Sequence, residues 1–201
     1  MGWDTEGTKR KILEAAVSEF SEHGPDGTTI EKIAKISKVN KERIYNYFGS
    51  KYELFETIIY NELANATQVA PLASALESDL AEYASQVFDY HQQHPELSRL
   101  LLWEGLVFNK KNKKNSNNKE YRRRNYTKKV QAIKSAQMND LITHEVEAEY
   151  LAFIILVLAN SWFMLPQVTD LLLPEGDIGN QVKKREIIKT VVNKILSTHG
   201  N

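Results

Sequence analysis

Between positions 41 and 51 the chain gathers Lys41, Arg43, Tyr45, Tyr47 and Lys51, a run of ammonium, guanidinium and phenol donors. These types do not make a nucleophile with its base, nor a paired-carboxylate acid and base. What they share is donation to anionic oxygen, and the two cation types can also reach the edges of guanine. Glu42, lodged among the cations, is the one acceptor. It suits a cytosine amino group, or it repels phosphate. Upstream, Thr29 brings a hydroxyl together with the unpaired amides of a helix amino terminus, a combination that meets phosphate well. Together these are the groups of a duplex-DNA contact, provided that one rigid element presents them on one face.

The stretch Thr28 to Lys51, TTIEKIAKISKVNKERIYNYFGSK, supplies that element. Thr28 can cap a first short helix, with Glu31 three residues on closing a capping box. Ile30, Ile33 and Ala34 give it one apolar stripe. Asn40 can cap a second helix, whose Ile44 and Phe48, four apart, bury against Ile33 and Ala34. The donors stay outside. The pattern is a helix-turn-helix over about residues 29–48, the geometry that lays its second helix in a major groove. A plain three-helix bundle has similar spacing, and it is the outward residue types that favour the DNA reading.

Thr28-Thr29, Ile33-Ala34, Val39, Ile44-Tyr45, Tyr47-Phe48, Ser50-Lys51 and Leu54-Phe55 also resemble the amino-terminal signature of tetracycline-repressor (TetR) family transcriptional regulators, over roughly residues 8 to 65. The resemblance implies DNA contacts at Thr29, Lys41, Arg43, Tyr45, Tyr47 and Lys51, with Glu42 at a base-facing position. One residue departs from it: Lys38 stands where the family usually has Gly for a left-handed turn, at a cost of order 1 kcal/mol.

Charge supports a local footprint. Lys and Arg total 26 against 26 acids, yet residues 32 to 51 hold six cations and only Glu42. Residues 53 to 109 reverse this, with nine acids and Arg99 alone opposite them. With 201 residues the chain can bury a proper core, as one domain or two small ones. The absence of Cys removes disulfide and thiol chemistry and fits a cytoplasmic location. Charged residues begin at Asp4, so a secretory apolar segment is not expected at the amino terminus.

No period-two strand pattern persists, and the chain reads as all-α with about nine or ten helices. Thr8 to His23 forms a long first helix ended by Gly24-Pro25-Asp26-Gly27. Ser50 opens a fourth helix, with Glu53 at the capping-box offset, that runs toward Ala66. Helices follow over Ser78–His94, from Pro95 onward, and over Tyr121–Leu141, with a polar loop at Lys110–Lys119. The apolar tract of residues 146 to 165 is broken by Asn160-Ser161, so it is expected to be a buried helix rather than a membrane span. Gln181–Ser197 is the last. The expected organisation is a three-helix DNA-binding domain within residues 5–65 and a larger α-helical effector-binding and dimerisation bundle over 66–201.

Three further sets of residues bear on function. The helices of 146–165 and 181–197 carry more apolar surface than one small bundle needs. Pairing them across a two-fold axis through Phe153, Leu156, Val157, Ile188, Val191, Val192 and Ile195 would make a dimer, as the resemblance also implies; the alternative is that they are simply core. Aromatic residues Tyr83, Phe88, His91, Trp103, Phe108 and Trp162 could line a cavity for a small hydrophobic effector. The sensor role is what the resemblance implies; at such spacing aromatic residues are more often core. His91 and His94 have a metal-pair spacing but no third ligand, so no metal or other cofactor is expected. Lys110 to Lys129 holds ten cations against Glu120 and reads as a solvated loop and helix end, or as a contact for nucleic acid, an acidic partner or the chain's own acidic region.

The expectation is therefore a cytoplasmic, dimeric repressor that a small hydrophobic ligand releases from a palindromic operator in double-stranded DNA. An enzyme is disfavoured, since no nucleophile elbow, phosphate loop or metal set is present. The remaining rival is an architectural or division-linked DNA-binding protein of the same fold that lacks an effector.

Overall fold

The structure, a computed structural model, describes residues 5–70, 72, 77–111 and 117–197, apart from the side chains of 77, 78, 108–111, 117 and 118. Among the described residues every regular element is a helix, eleven in total. They group into two compact units, one from the described residues of 1–65 and 96–118, the other from those of 66–95 and 119–201.

The first unit is built on α1 (Thr5–Gly27), which buries Ile12, Ala16 and Phe20 on one face. Against it lie Ile33 of α2 (Ile30–Ser37), Ile44 of α3 (Lys41–Phe48) and Leu54, Phe55 and Ile58 of α4 (Lys51–Val69). Phe20 meets Phe55 edge-on at 5.3 Å between ring centroids. Helix α1 thus braces the helices that follow it. A further brace comes from α6 (Pro95–Lys111), whose Leu100 is fully buried in the same core and whose Trp103 indole donates to the Ser21 carbonyl at 3.2 Å. Gly24 makes room for that ring. Its φ of 68° kinks α1 where the sequence predicts a helix end, and a Cβ there would stand 2.6 Å from Trp103 Cδ2.

Local caps decide where the short helices start. The cap of α2 is Thr29, whose Oγ1 accepts from the Lys32 amide at 3.2 Å, and not the expected Thr28. Thr28 is buried instead, its hydroxyl donating to Glu19 Oε2 at 2.5 Å. Lys38 ends α2 in the left-handed region, φ 56° and ψ 32°, so the turn keeps the geometry that glycine would favour. Asn40 caps α3 as expected, Oδ1 accepting from the Glu42 amide at 3.0 Å. At α4 the capping box is complete: the Ser50 amide donates to Glu53 Oε2 at 2.6 Å, and the Glu53 amide to Ser50 Oγ at 3.2 Å.

In the second unit α5 (Glu77–Gln93) is the central rod, packing along both α8 (Ala148–Met164) and α11 (Gln181–Leu196). Leu80, Ala84 and Phe88 of α5 share a core with Leu151 and Ile155 of α8 and Ile188 and Val192 of α11, and Ile133 of α7 (Asn117–Met138) joins them. Charge fastens α5 to α11. Arg185 donates to Asp89 at 2.9 Å and to Glu82 at 2.8 Å, and Lys189 stands 3.2 Å from Glu82. Burial pushes the Glu82 carboxyl up, but Lys189 and Arg185 hold it below its usual range.

Beyond α8, Pro166 starts the short helix α9 (Pro166–Leu172), bent 83° from α8, and α10 (Glu175–Ile178) follows. Pro fits the first helical turn because its missing N–H has no partner to lose. The polar stretch 110–119 is helical at both ends, in α6 through Lys111 and in α7 from Asn117, while 112–116 lie outside the described residues. Among the described residues no single helix is long and apolar enough to cross a membrane.

Gly24→Ala must either move the Trp103 ring or unwind the left-handed turn. A loss of about 2 kcal/mol or more in urea-unfolding free energy is the expected outcome. An unchanged transition would show that the Trp103 contact does not hold α6 in this core.

Candidate nucleic-acid interface

Helix α3 turns one fully buried side chain inward, Ile44, and half-buries Tyr47 and Phe48 beside it. Lys41, Glu42, Tyr45 and Asn46 remain exposed, with Tyr45 at 46%. Lys41 Nζ stands 3.6 Å from Glu31 Oε1 and so leans toward the first turn of α2. Hydrogen bonding to its own backbone, followed by the charge of Lys41, holds the Glu31 carboxyl below its usual range. Both groups are solvated, so the pair orients Lys41 more than it stabilises the fold.

The other expected contacts flank this face. Lys51 Nζ donates to the Thr28 carbonyl at 2.9 Å and lies 5.7 Å from the Tyr52 ring centroid, which fastens the start of α4 beside the α2 cap. Tyr52 in turn donates to Asp26. Thr29 is exposed at that cap. Arg43 is half-buried and partnered within the chain. Tyr47 meets Phe48 edge-on at 6.3 Å, with Lys9 Nζ 5.8 Å from its ring, so it serves packing as well as surface. Lys41 and Lys51 thus stand beside the start of α2, and Glu42, Tyr45 and Asn46 are exposed along α3. Asn46 is absent from the sequence-derived set. The available signal was its place four residues after Glu42, on the polar side of α3.

The aromatic residues singled out as pocket candidates divide between the units. Trp103 sits in the first unit under Gly24, and the Phe108 side chain lies outside the described residues. Tyr83, Phe88, His91 and Trp162 are in the second. Phe88 meets Trp162 edge-on at 6.5 Å and leans on Phe163 at 5.1 Å, while His91 stacks on Phe163 at 5.9 Å. Phe163, absent from the sequence-derived set, thus joins the group. The Trp162 indole nitrogen is buried without a hydrogen-bond partner. Burial, and then His94, lower the His91 pKa to about 4. Burial pushes the Tyr83 hydroxyl up and Lys129 down to about 8, and Lys129 Nζ donates to Tyr83 Oη at 2.5 Å.

Of the residues expected at a dimer face, Phe153 and Val157 are exposed, whereas Leu156, Val191 and Ile195 are half-buried. Ile188 and Val192 are wholly interior, packed in the core with α5. Tyr150 and Ile154 extend the exposed stripe of α8 at helical spacing. His94 is exposed and stacks on Tyr90 at 4.3 Å. Among the described residues no group of three metal-ligating side chains forms. In the basic segment Arg123, Arg124 and Lys128 are exposed, while Lys129 turns inward to Tyr83.

Residues 12–58 match the family described as bacterial regulatory proteins of the tetR family, and residues 79–194 match the tetracyclin repressor-like C-terminal domain. The chain is 34% identical over 193 residues to the HTH-type transcriptional repressor SCO4008 of Streptomyces coelicolor, covering 96% of this chain and 97% of that one. It is 39% identical over 103 residues to the HTH-type transcriptional repressor NicS of Pseudomonas putida, covering 49% of each. In fold it is similar to the crystal structure of the transcriptional regulator SCO4942 of Streptomyces coelicolor, with a TM-score of 0.76 at 24% identity over 94% of this chain and 98% of that one.

The buried imidazole has a measurable consequence. His91 takes up its proton near pH 4 in the folded chain and near its ordinary 6.5 when unfolded. The unfolded state therefore binds more protons between those values, and stability falls as pH drops through that window. The whole limb amounts to about 3 kcal/mol. Thermal unfolding from pH 7 to pH 4 is expected to show this limb in the wild type and a flatter one in His91→Gln; identical slopes would contradict a buried neutral His91.

Proposed function

The chain belongs to the tetR family of bacterial regulatory proteins, DNA-binding transcriptional regulators rather than enzymes, and on that premise we propose that it is a cytoplasmic homodimeric repressor that a small hydrophobic ligand releases from a palindromic operator. Residues 5–65, with α6 packed into their core, act as the DNA-binding domain, and the rest of 66–201 acts as the effector-binding and dimerisation domain. The observation that carries this reading is the exposed face of α3 with its cation and phenol donors, seated on a core through Ile44.

One α3 spans only a few base pairs, so specificity needs two copies about one turn of DNA, roughly 34 Å, apart or a multiple of it. The exposed stripe of Tyr150, Phe153, Ile154 and Val157 on α8, with Val182 and Ile187 on α11, is the surface a second copy would cover. An effector is supported by the Phe88, His91, Trp162 and Phe163 cluster, where the buried indole N–H lacks an acceptor that a bound oxygen could supply. The backbone offers a route for a response, because α4 contributes residues to both units. A ligand that binds the non-DNA state better would shift the population toward release.

Sedimentation at micromolar concentration is expected to give a dimer, and a monomer would remove the palindrome. For DNA, a duplex selected from a random library serves as probe. Lys51→Ala is expected to weaken binding across all sequences and to lower the slope of log affinity against log salt by about 1. Tyr45→Phe is expected to weaken binding with thermal stability unchanged. If both variants bind as the wild type does, α3 and its flank are not the contact surface.

A further inference from the structure

Not every exposed polar group on α3 is equally available to read a base. Lys41 leans on Glu31 at 3.6 Å, Lys51 is held by the Thr28 carbonyl, and Arg43 is partnered within the chain. Thr29 spends its oxygen on the Lys32 amide. Groups tethered in this way are suited to fixing register on phosphate. Asn46 differs from them. Its side chain is exposed at mid-face next to Tyr45, and it follows Glu42 by four residues, the offset that aligns two side chains along one side of a helix. Glu42, Arg43 and Asn46 line the same open groove of about 980 Å³, which Lys11 and Glu14 of α1 and Lys38 of the turn flank.

An asparagine amide carries a donor and an acceptor side by side, and adenine offers the matching pair, N7 and N6–H, in the major groove. No other base edge there presents that pattern. We propose that Asn46 is a specificity-determining residue that selects an adenine in each half-site, with Glu42 facing a neighbouring base pair. Four residues advance about 6 Å along α3, so the two contacts fall within one or two base pairs of each other. The assignment rests on the DNA-binding reading above and adds to it the base that the site demands. An amide on phosphate, the other possibility, would strengthen binding without preferring any sequence.

The test is selection of duplexes from a random library by wild type, Asn46→Ala and Asn46→Asp, followed by titration of single-base operator variants at fixed salt. The wild type is expected to require adenine at one position per half-site. Asn46→Ala is expected to lose that preference by about 5- to 100-fold while keeping the other positions, the salt slope and the thermal midpoint. Asn46→Asp should not restore adenine, since a carboxylate lacks the donor. A variant that keeps the adenine requirement, or that weakens all sequences equally, overturns the assignment while leaving operator binding intact. A wild type that selects no sequence overturns the operator reading and this assignment with it.

Discussion

The seating of Ile44 is the constraint on which the interface depends. Helix α3 has only eight residues, far too few to hold helical form alone in water. It buries one side chain completely, and that side chain meets a core made by Ile12, Phe20, Ile33 and Leu54. Asn40 satisfies its leading amides and Gly49, at φ 74°, releases the chain into α4. Everything that faces outward on α3 does so because Ile44 faces inward. A polar residue at 44 would cost a large share of what a small domain has to spare, and the donors would lose their common direction before they lost their chemistry.

Near the interface, electrostatics arrange more than they stabilise. The Lys41–Glu31 pair is solvated, as is much of Lys51. Such contacts contribute little to folding but restrict where a long cationic side chain spends its time. The second unit behaves differently. There Arg185 bridges Asp89 and Glu82 at partly buried positions, and α5 is held to α11 by charge as well as by the Ile188 and Val192 packing. The same unit tolerates a neutral buried His91 and a Lys129 whose hydrogen-bond partner is a tyrosine hydroxyl rather than a carboxylate. Groups of that kind lower stability where they sit.

Much of the first unit was legible in the sequence because its signals are local. Asn40 and the Ser50–Glu53 box act within one turn of their own position, and the apolar spacing within each short helix marks Ile33 and Ile44. Thr29 taking the cap from Thr28 shows the limit: a long-range partner, Glu19, claimed the Thr28 hydroxyl. The place of α6 was invisible for the same reason, since Trp103 under Gly24 joins residues far apart in the chain. Ile188 and Val192 are interior, and the sequence leaves them between core and dimer face because periodicity marks an apolar face but not what covers it. Asn46 was passed over because a neutral amide carries no charge to draw notice.

Placement of α3 in the groove is tested most directly by crosslinking. A photoreactive benzophenone amino acid can replace Tyr45 or, as control, Glu22 on the exposed side of α1, each in the presence of a duplex selected by the wild type. Attachment to major-groove bases from position 45, with none from position 22, is the expected result. Attachment from 22 and not from 45, under conditions where the duplex remains bound, would contradict a recognition role for α3.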